Sequence, residues 1–557
     1  MRTILSVSIA ITLTISAGSV NSQIIPDNSL GTTIDRIENT FEIQGGELSD
    51  SGTNLFHSFE SFNLTADQAA IFSTTSDIQN VLGRVTGGDP SLIDGQISVT
   101  GSDANLFLLN PAGIVFGENV WLDVPGSFTA TTASGIQFED GWFEALGRAN
   151  GAELAGDPVA FEFATTAGAI VNLGQLSVNE TANLNLLGGT VINQGQLQGG
   201  VVNIAAIEPR HTIQLGLVDQ VLRLEVASDR ITSVGEITAI ALPELLTGSL
   251  AAGATELTTV NGVVQLRTTP IGVGDVAFVD GSNGVPGGEI VTEAATVSAM
   301  DDLLVGTSGI LFNTTGGSVT LAADADLSGA GSLFAQRSDG SELLSDTDLE
   351  GSGISTRGGN LQVSGHTLGI DVISSGSYET DAGERVRVAN GGDITIAARD
   401  NLTIGGLITN ASEQAGNITL SSGDRLRIGA AIQAAADDNA GNVTLTAVGD
   451  VVVEGLVNAQ AADAGDITIR SETGAIQIGG FIQTFGVDQA GDVALTAVRD
   501  ITVGDSVDSY GGQTGGDVTI ESATGNIAIT SYVSSYSDRG YCRRCGVNRR
   551  ARYHCGW

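Results

Sequence analysis

Six acidic or amide residues recur at a nearly constant interval in the last third of this 557-residue chain: Asp393, Asn417, Asn442, Asp466, Asp492 and Asp517. Carboxylates repeated on one face could cleave a glycan, because that chemistry uses paired acids, or acids beside Arg, on neighbouring strands. Two of the six positions carry Asn, which loses the titrating group and keeps the side-chain carbonyl. That exchange suits a turn residue bonding its own backbone. Calcium is not indicated along this row, since the Gly-Gly-x-Gly-x-Asp nonapeptide is absent. Of the four histidines, His57, His211 and His366 show no ligand spacing, and His57, between Phe56 and Phe59, reads as a packed strand residue. No Gly-x-Ser-x-Gly elbow stands between a strand and a helix. Zinc has one candidate ligand set, Cys542, Cys545, His554 and Cys555. Its adjacent His-Cys pair and very short intervening loop are unusual for such a site. The residues thus single out no catalytic group, metal or cofactor. A polysaccharide-acting β-helix enzyme is the alternative function.

The elements that carry these residues follow from the same repeat. Gly392, Gly416, Gly441, Gly465, Gly491 and Gly516 each precede one of the six, at separations of 24, 25, 24, 26 and 25 residues. An apolar-small-apolar run follows each time, and every unit holds two more short alternating runs, such as residues 426–428 and 431–433. Three short strands per unit of about 25 residues match one coil of a parallel β-helix. Alternation turns one side chain in and the next out. The expected interior ladder is Ile394, Ile418, Val443, Ile467, Val493 and Val518, with Ile396, Leu420, Leu445, Ile469, Leu495 and Ile520 beside it. All nine prolines lie at or before Pro286, as a ladder using every backbone N–H requires. A β-sandwich would instead show hairpin turns.

The N-terminal part is different. Twelve of the seventeen Phe precede residue 164, which reads as a cap over the open ladder edge plus the first coils. Within it, residues 105–117 read as strand, tight turn and strand, with Asn110, Pro111 and Gly113 at the first, second and fourth places of a type I turn and Ile114 resuming the strand. This stretch resembles the signature of the filamentous-haemagglutinin N-terminal domain, the secretion domain of two-partner secretion exoproteins. The likeness includes Asn54-Leu55-Phe56-His57-Ser58-Phe59, Asn80-Val81-Leu82-Gly83-Arg84 and Gly126-Ser127-Phe128-Thr129, and spans roughly residues 23–163. The family's turn usually reads Asn-Pro-Asn-Gly-Ile; here Ala112 replaces the middle Asn.

The resemblance implies an all-β, right-handed parallel β-helix exported by a dedicated outer-membrane β-barrel transporter, with adhesin- or haemagglutinin-like cargo. It marks Asn54, Phe59, Asn80, Arg84, Asn105, Asn110, Pro111, Gly113 and Ile114 as structural and secretory residues. The expected layout is a signal peptide at 1–22, a secretion domain at 23–165, and coils at 166–538 with an irregular segment near 208–300. There residues 218–224 could be a short helix or an extra-helical loop. A tail at 539–557, with six Arg and no acid, reads as foreign to the fold and leaves the last coil uncapped. Arg2 before an apolar core and small residues defines the signal peptide, and the resemblance implies onward passage from the periplasm to the cell surface or medium. No Cys occurs in residues 1–541, which suits passage through a pore without crosslinks. A net charge of −41, with no Lys at all, excludes nucleic acid as a partner. The surface ligand is not named by these residues.

Overall fold

A computed structural model describes residues 24–147, 150–165, 167–214, 223–226, 256–260, 263–267, 271, 273–278, 289–305, 310–314, 317–323, 325, 332–335, 353–376, 378–379, 385–386, 388–538 and 545–548. The signal-peptide assignment lies outside these residues. The chain divides into two units, Met1–Ser308 and Gly309–Trp557. Apart from one 3-10 turn at Gly151–Glu153, the elements of the described residues are strands, and no helix is long and apolar enough to cross a membrane.

In the first unit the chain winds as a parallel β-helix. One ladder stacks Asn54–Phe62, Asn80–Val85, Asn105–Leu109, Phe128–Thr131, Asn183–Gly188, Val201–Ala206 and Ala294–Ala299, every pair parallel. A second stacks Ser91–Ile93, Ile114–Phe116, Ala169–Asn172, Thr190–Asn193, Val276–Phe278 and Leu303–Val305. The N-terminal edge is closed by antiparallel strands. Ile24–Pro26 and Glu47–Leu48 pair with Asn54–Phe62, and the hairpin Thr32–Ile37/Thr40–Gly45 starts a third sheet. Antiparallel pairing consumes the groups that a further parallel coil would need. Phe41, Phe59, Phe62 and Phe72 fill the space beneath this cap, as the aromatic bias of the sequence anticipates.

The same bias also builds something the periodicity did not reveal. Gly135–Phe138, Gly141–Glu144, Ala160–Phe163, His211–Gln214 and Arg223–Val226 form an antiparallel sheet outside the coils. Ile136, Phe138, Phe143, Phe161 and Phe163 from it join Phe56, Leu82, Phe107, Leu109 and Leu187, which project from the ladder, in one core cluster. The first ladder is therefore buried on both faces, and Asn80–Val85 is buried at all six positions. Within the irregular segment near 208–300, Arg223–Val226 is a strand, and the coil resumes at Val276–Phe278, paired to residues 191–193.

The second unit shows the expected repeat in register. Ile394, Ile418, Val443, Ile467, Val493 and Val518 are directly paired in sequence, as are Ile396, Leu420, Leu445, Ile469, Leu495 and Ile520. Each of the twelve is at most 1% exposed. Burial of such residues only against neighbouring coils makes stability a property of the stack. One expectation changes at the end of the ladder. Cys545–Asn548 pairs in parallel with Val518–Glu521, so this piece of the basic tail continues the ladder, and the uncapped edge expected after Ser537 is covered on that face. Cys545-Gly546-Val547-Asn548 has the short alternating character a strand needs, whereas its Arg-rich flanks concealed it.

Candidate functional site

Parallel stacking puts equivalent residues of successive coils side by side, and three of the marked asparagines fall in one file. Asn54 pairs with Asn80, and Asn80 with Asn105. Asn80 Nδ2 donates to Asn54 Oδ1 at 3.0 Å, Asn105 Nδ2 donates to Asn80 Oδ1 at 2.9 Å, and the Ser127 backbone N–H donates to Asn105 Oδ1 at 2.9 Å. The file is tied outward at its start. Asn54 Nδ2 donates to the Leu154 and Gly156 carbonyls at 3.0 and 2.8 Å, and Asn80 Nδ2 reaches Asp157 Oδ1 at 3.1 Å. Asn54 and Asn80 are buried, so these amides satisfy one another where water cannot.

Arg84 lies four residues along the same strand and is 1% exposed. Its Nε donates to Ser58 Oγ at 2.9 Å, Nη1 to the Glu144 carbonyl at 2.7 Å, and Nη2 to the Gly147 carbonyl at 3.2 Å and Ser29 Oγ at 3.3 Å. The guanidinium also sits over the Phe143 ring, 5.5 Å from its centroid. Burial pulls its pKa down, and the charges of Asp27, Glu144 and Glu47 oppose that pull. Ser58 Oγ in turn donates to Asp27 Oδ2 at 2.6 Å, and Thr86 Oγ1 donates to the same oxygen at 3.0 Å. Burial alone would raise the Asp27 pKa, yet bonds from Ser58, Ser29 and Thr86 hold it below its ordinary value. Arg84 thereby binds the outer sheet, the coil and the N-terminal cap together.

The turn is built as its residue types require. The Gly113 N–H donates to the Asn110 carbonyl at 3.1 Å, closing residues 110–113. Asn110 Oδ1 accepts from the Ala112 N–H at 3.0 Å, while its Nδ2 donates to the Asp89 carbonyl and to Ser91 Oγ at 3.1 and 3.0 Å. Gly113 has φ +130°, a conformation side chains resist. Ala112 is 1% exposed, and the backbone of Gly168 lies so close that a Cβ there would meet the Ala112 carbonyl at 2.4 Å. A methyl group fits this enclosed place without an amide to satisfy. Ile114 points inward between Ser91 and Ile170, and Phe59 is buried against Phe62 and Phe72. The nine marked residues are therefore distributed over one file, one anchor, one turn and two core positions. Asn105 alone among them is part-exposed.

Sequence reasoning missed the partners: Asp27, Ser58, Asp157 and the carbonyls of the loop at 154–156. They come from segments up to 102 residues away, and no local pattern announces them. The repeated Asp/Asn row of the second unit is also bonded differently from expectation. From Asp393 to Asp492 each Oδ1 accepts the backbone N–H of the next coil: Asp393 from Asn417 at 2.7 Å, Asn442 from Asp466 at 2.8 Å, and Asp466 from Asp492 at 2.7 Å, for example. The acceptor oxygen is common to Asp and Asn, which explains their exchange. Of the zinc set, Cys542, His554 and Cys555 lie outside the described residues, and Cys545 is placed as strand backbone. Among the described residues, Asp275, Asp301 and Asp302 bring carboxylate oxygens within 4.8 Å of one another. Asp275 Oδ1 accepts the Asp302 N–H at 2.8 Å there, which ties two adjacent coils.

The family described as "TPS secretion domain" matches residues 22–292, beyond the 23–165 read from the motifs. No curated protein matches the chain. Among solved structures, the HMW1 secretion domain from Haemophilus influenzae aligns with 14% identity over 92% of this chain and 96% of that one, at a TM-score of 0.31.

Proposed function

We propose that this chain, whose residues 22–292 match the TPS secretion domain, is a two-partner secretion exoprotein, exported through a dedicated outer-membrane β-barrel transporter and displayed or released as an adhesin. The observation that carries the export reading is burial of the motif. Asn54, Phe59, Asn80, Arg84, Asn110, Pro111, Gly113 and Ile114 are all inaccessible in the finished coil. A transporter reads them while the segment is extended, by strand addition to its own sheet edges, or depends on the folding they direct. The N-terminal edge is closed by antiparallel strands, so new coils add from the other side. Each added coil buries apolar side chains and opposes backsliding with no nucleotide required.

The adhesin role rests on the kind of cargo such domains carry, and on coils whose outward positions in the second unit are open to a ligand. Expression in a double-membrane cell with and without an active transporter of this type tests export. Surface or medium protein that depends on the transporter supports the reading; equal export without it removes the reading. Asn110→Ala combined with Pro111→Gly lowers export in the same assay, and undiminished surface levels take the turn out of that role.

A further inference from the structure

Three successive turns in the second unit border an open cleft of about 440 Å³, lined by Thr314, Arg357, Gly358, Asn360, Val388 and Asn390 with Gly391 and Gly392. The volume lies at the small end of ligand sites, which run from about 300 to 1,000 Å³. Arg357 is the one charged residue of the lining. Its backbone is at φ +46°, a left-handed conformation for a side chain with a Cβ, and Gly358 follows at φ +98°. Non-glycine residues held this way cost free energy and gather at ligand sites.

The frame is firmly bonded. Thr314 Oγ1 donates to the Thr356 carbonyl at 3.0 Å, and the N–H groups of Gly358 and Gly392 both donate to the Ser375 carbonyl at 3.0 Å. Asn360 Oδ1 accepts the Asp393 N–H at 2.8 Å, which leaves its Nδ2 as the outward donor. Asn390 is exposed and Val388 half-buried in the same lining, both packed near Gly358. The lining thus includes an arginine, two asparagines and a valine, residue types that can recognise a carboxylate flanked by hydroxyls.

We propose that this cleft binds a single sugar acid, its carboxylate on Arg357 and its hydroxyls on Asn360 and Asn390. A long polyanion is disfavoured, because the row beginning at Asp393 continues through Asp466, Asp492 and Asp517 and would repel its further charges, whereas a single carboxylate can sit within the roughly 8 Å screening length of Arg357. The proposal goes beyond the export reading and does not depend on it.

Calorimetric titration of the purified full chain with glucuronate, glucose and acetate tests it. Glucuronate should saturate one site, and glucose and acetate should each bind at least tenfold more weakly. Arg357→Gly should lose at least tenfold in glucuronate affinity while its thermal midpoint holds or rises, since glycine prefers that backbone. Asn390→Ala, at an exposed position, should lose several-fold with the fold intact, and it serves as the test should Arg357→Gly fail to fold. Absence of saturable heat at millimolar glucuronate, affinity unchanged in either variant, or acetate binding as tightly as glucuronate would each overturn the assignment.

Discussion

Asn80 Nδ2 lies 3.0 Å from Asn54 Oδ1 although 26 residues separate them, a distance of one coil. Each amide in the file is donor to one neighbour and acceptor from the other, so no member is satisfied alone. This couples the order of the first coils to the loop at 154–156, which the file also holds. A local sequence change in the N-terminal domain therefore has consequences about a hundred residues later.

Replacing Asn80 with Ala strands the buried Asn54 Oδ1 without its donor, while the part-exposed Asn105 Nδ2 can turn to water. Each buried, unmet polar group costs about 1–3 kcal/mol. The urea midpoint of the first unit should fall accordingly, with Asn80→Asp no better because it lacks the amide donor.

His57 is fully buried with Phe59 and Phe72 around it, and its Nδ1 lies 3.3 Å from Thr32 Oγ1. Burial pushes its pKa down to about 4 from 6.5. The unfolded chain then binds a proton that the folded chain refuses between those values. The stabilisation is full above pH 6.5 and is lost as the pH falls toward 4, by about 3 kcal/mol in all. Unfolding midpoints measured from pH 7.5 to 4 should show this slope, and His57→Phe should flatten it.

Gly441 sits where its coil turns against the one before. A Cβ there would stand 1.9 Å from the Gly416 carbonyl oxygen, and its nearest neighbours are all backbone of the preceding coil, with no flexible side chain to yield. Gly441→Ala should destabilise the second unit by roughly 1–3 kcal/mol or more. Hydrogen exchange should rise first in the strands Ile418–Ser422 and Val443–Ala447.

Arg84→Lys keeps a charge but loses the fork that reaches Ser58, Glu144 and Gly147 together. The loss of charged hydrogen bonds should cost about 1.5–3 kcal/mol. Stability of the variant equal to that of the parent would show that the fork does not hold the outer sheet to the coil.

Asp492→Asn tests the acid row. Its Oδ1 accepts the Asp517 N–H and its own N–H donates to Asp466, so the amide can serve in its place. We expect an unchanged or raised midpoint for Asp492→Asn, because it relieves repulsion between stacked acids, and a fall of about 1 kcal/mol for Asp492→Ala.

The chain's period, read from glycines 24 to 26 residues apart, determined the coils from Gly392 to Ile520 down to which isoleucines face in. Alternation within a strand and repetition between coils are both local, so every interior pair from Ile394 to Ile520 was legible in one dimension. The turn at Asn110–Gly113 was legible for the same reason. What only the tertiary structure decided is how the N-terminal domain uses its aromatic residues. Phe138, Phe143, Phe161 and Phe163 belong to an outer sheet with its own antiparallel pairing, and no coil period indexes it. That sheet buries the second face of Asn80–Val85 and gives Arg84 its carbonyls. The Asp/Asn row shows the same boundary on a smaller scale: the exchange revealed a backbone acceptor, and only stacking showed that the donor belongs to the next coil. Contacts set by chain periodicity can be counted along a sequence, whereas those made by an excursion returning over the coils depend on where it lands.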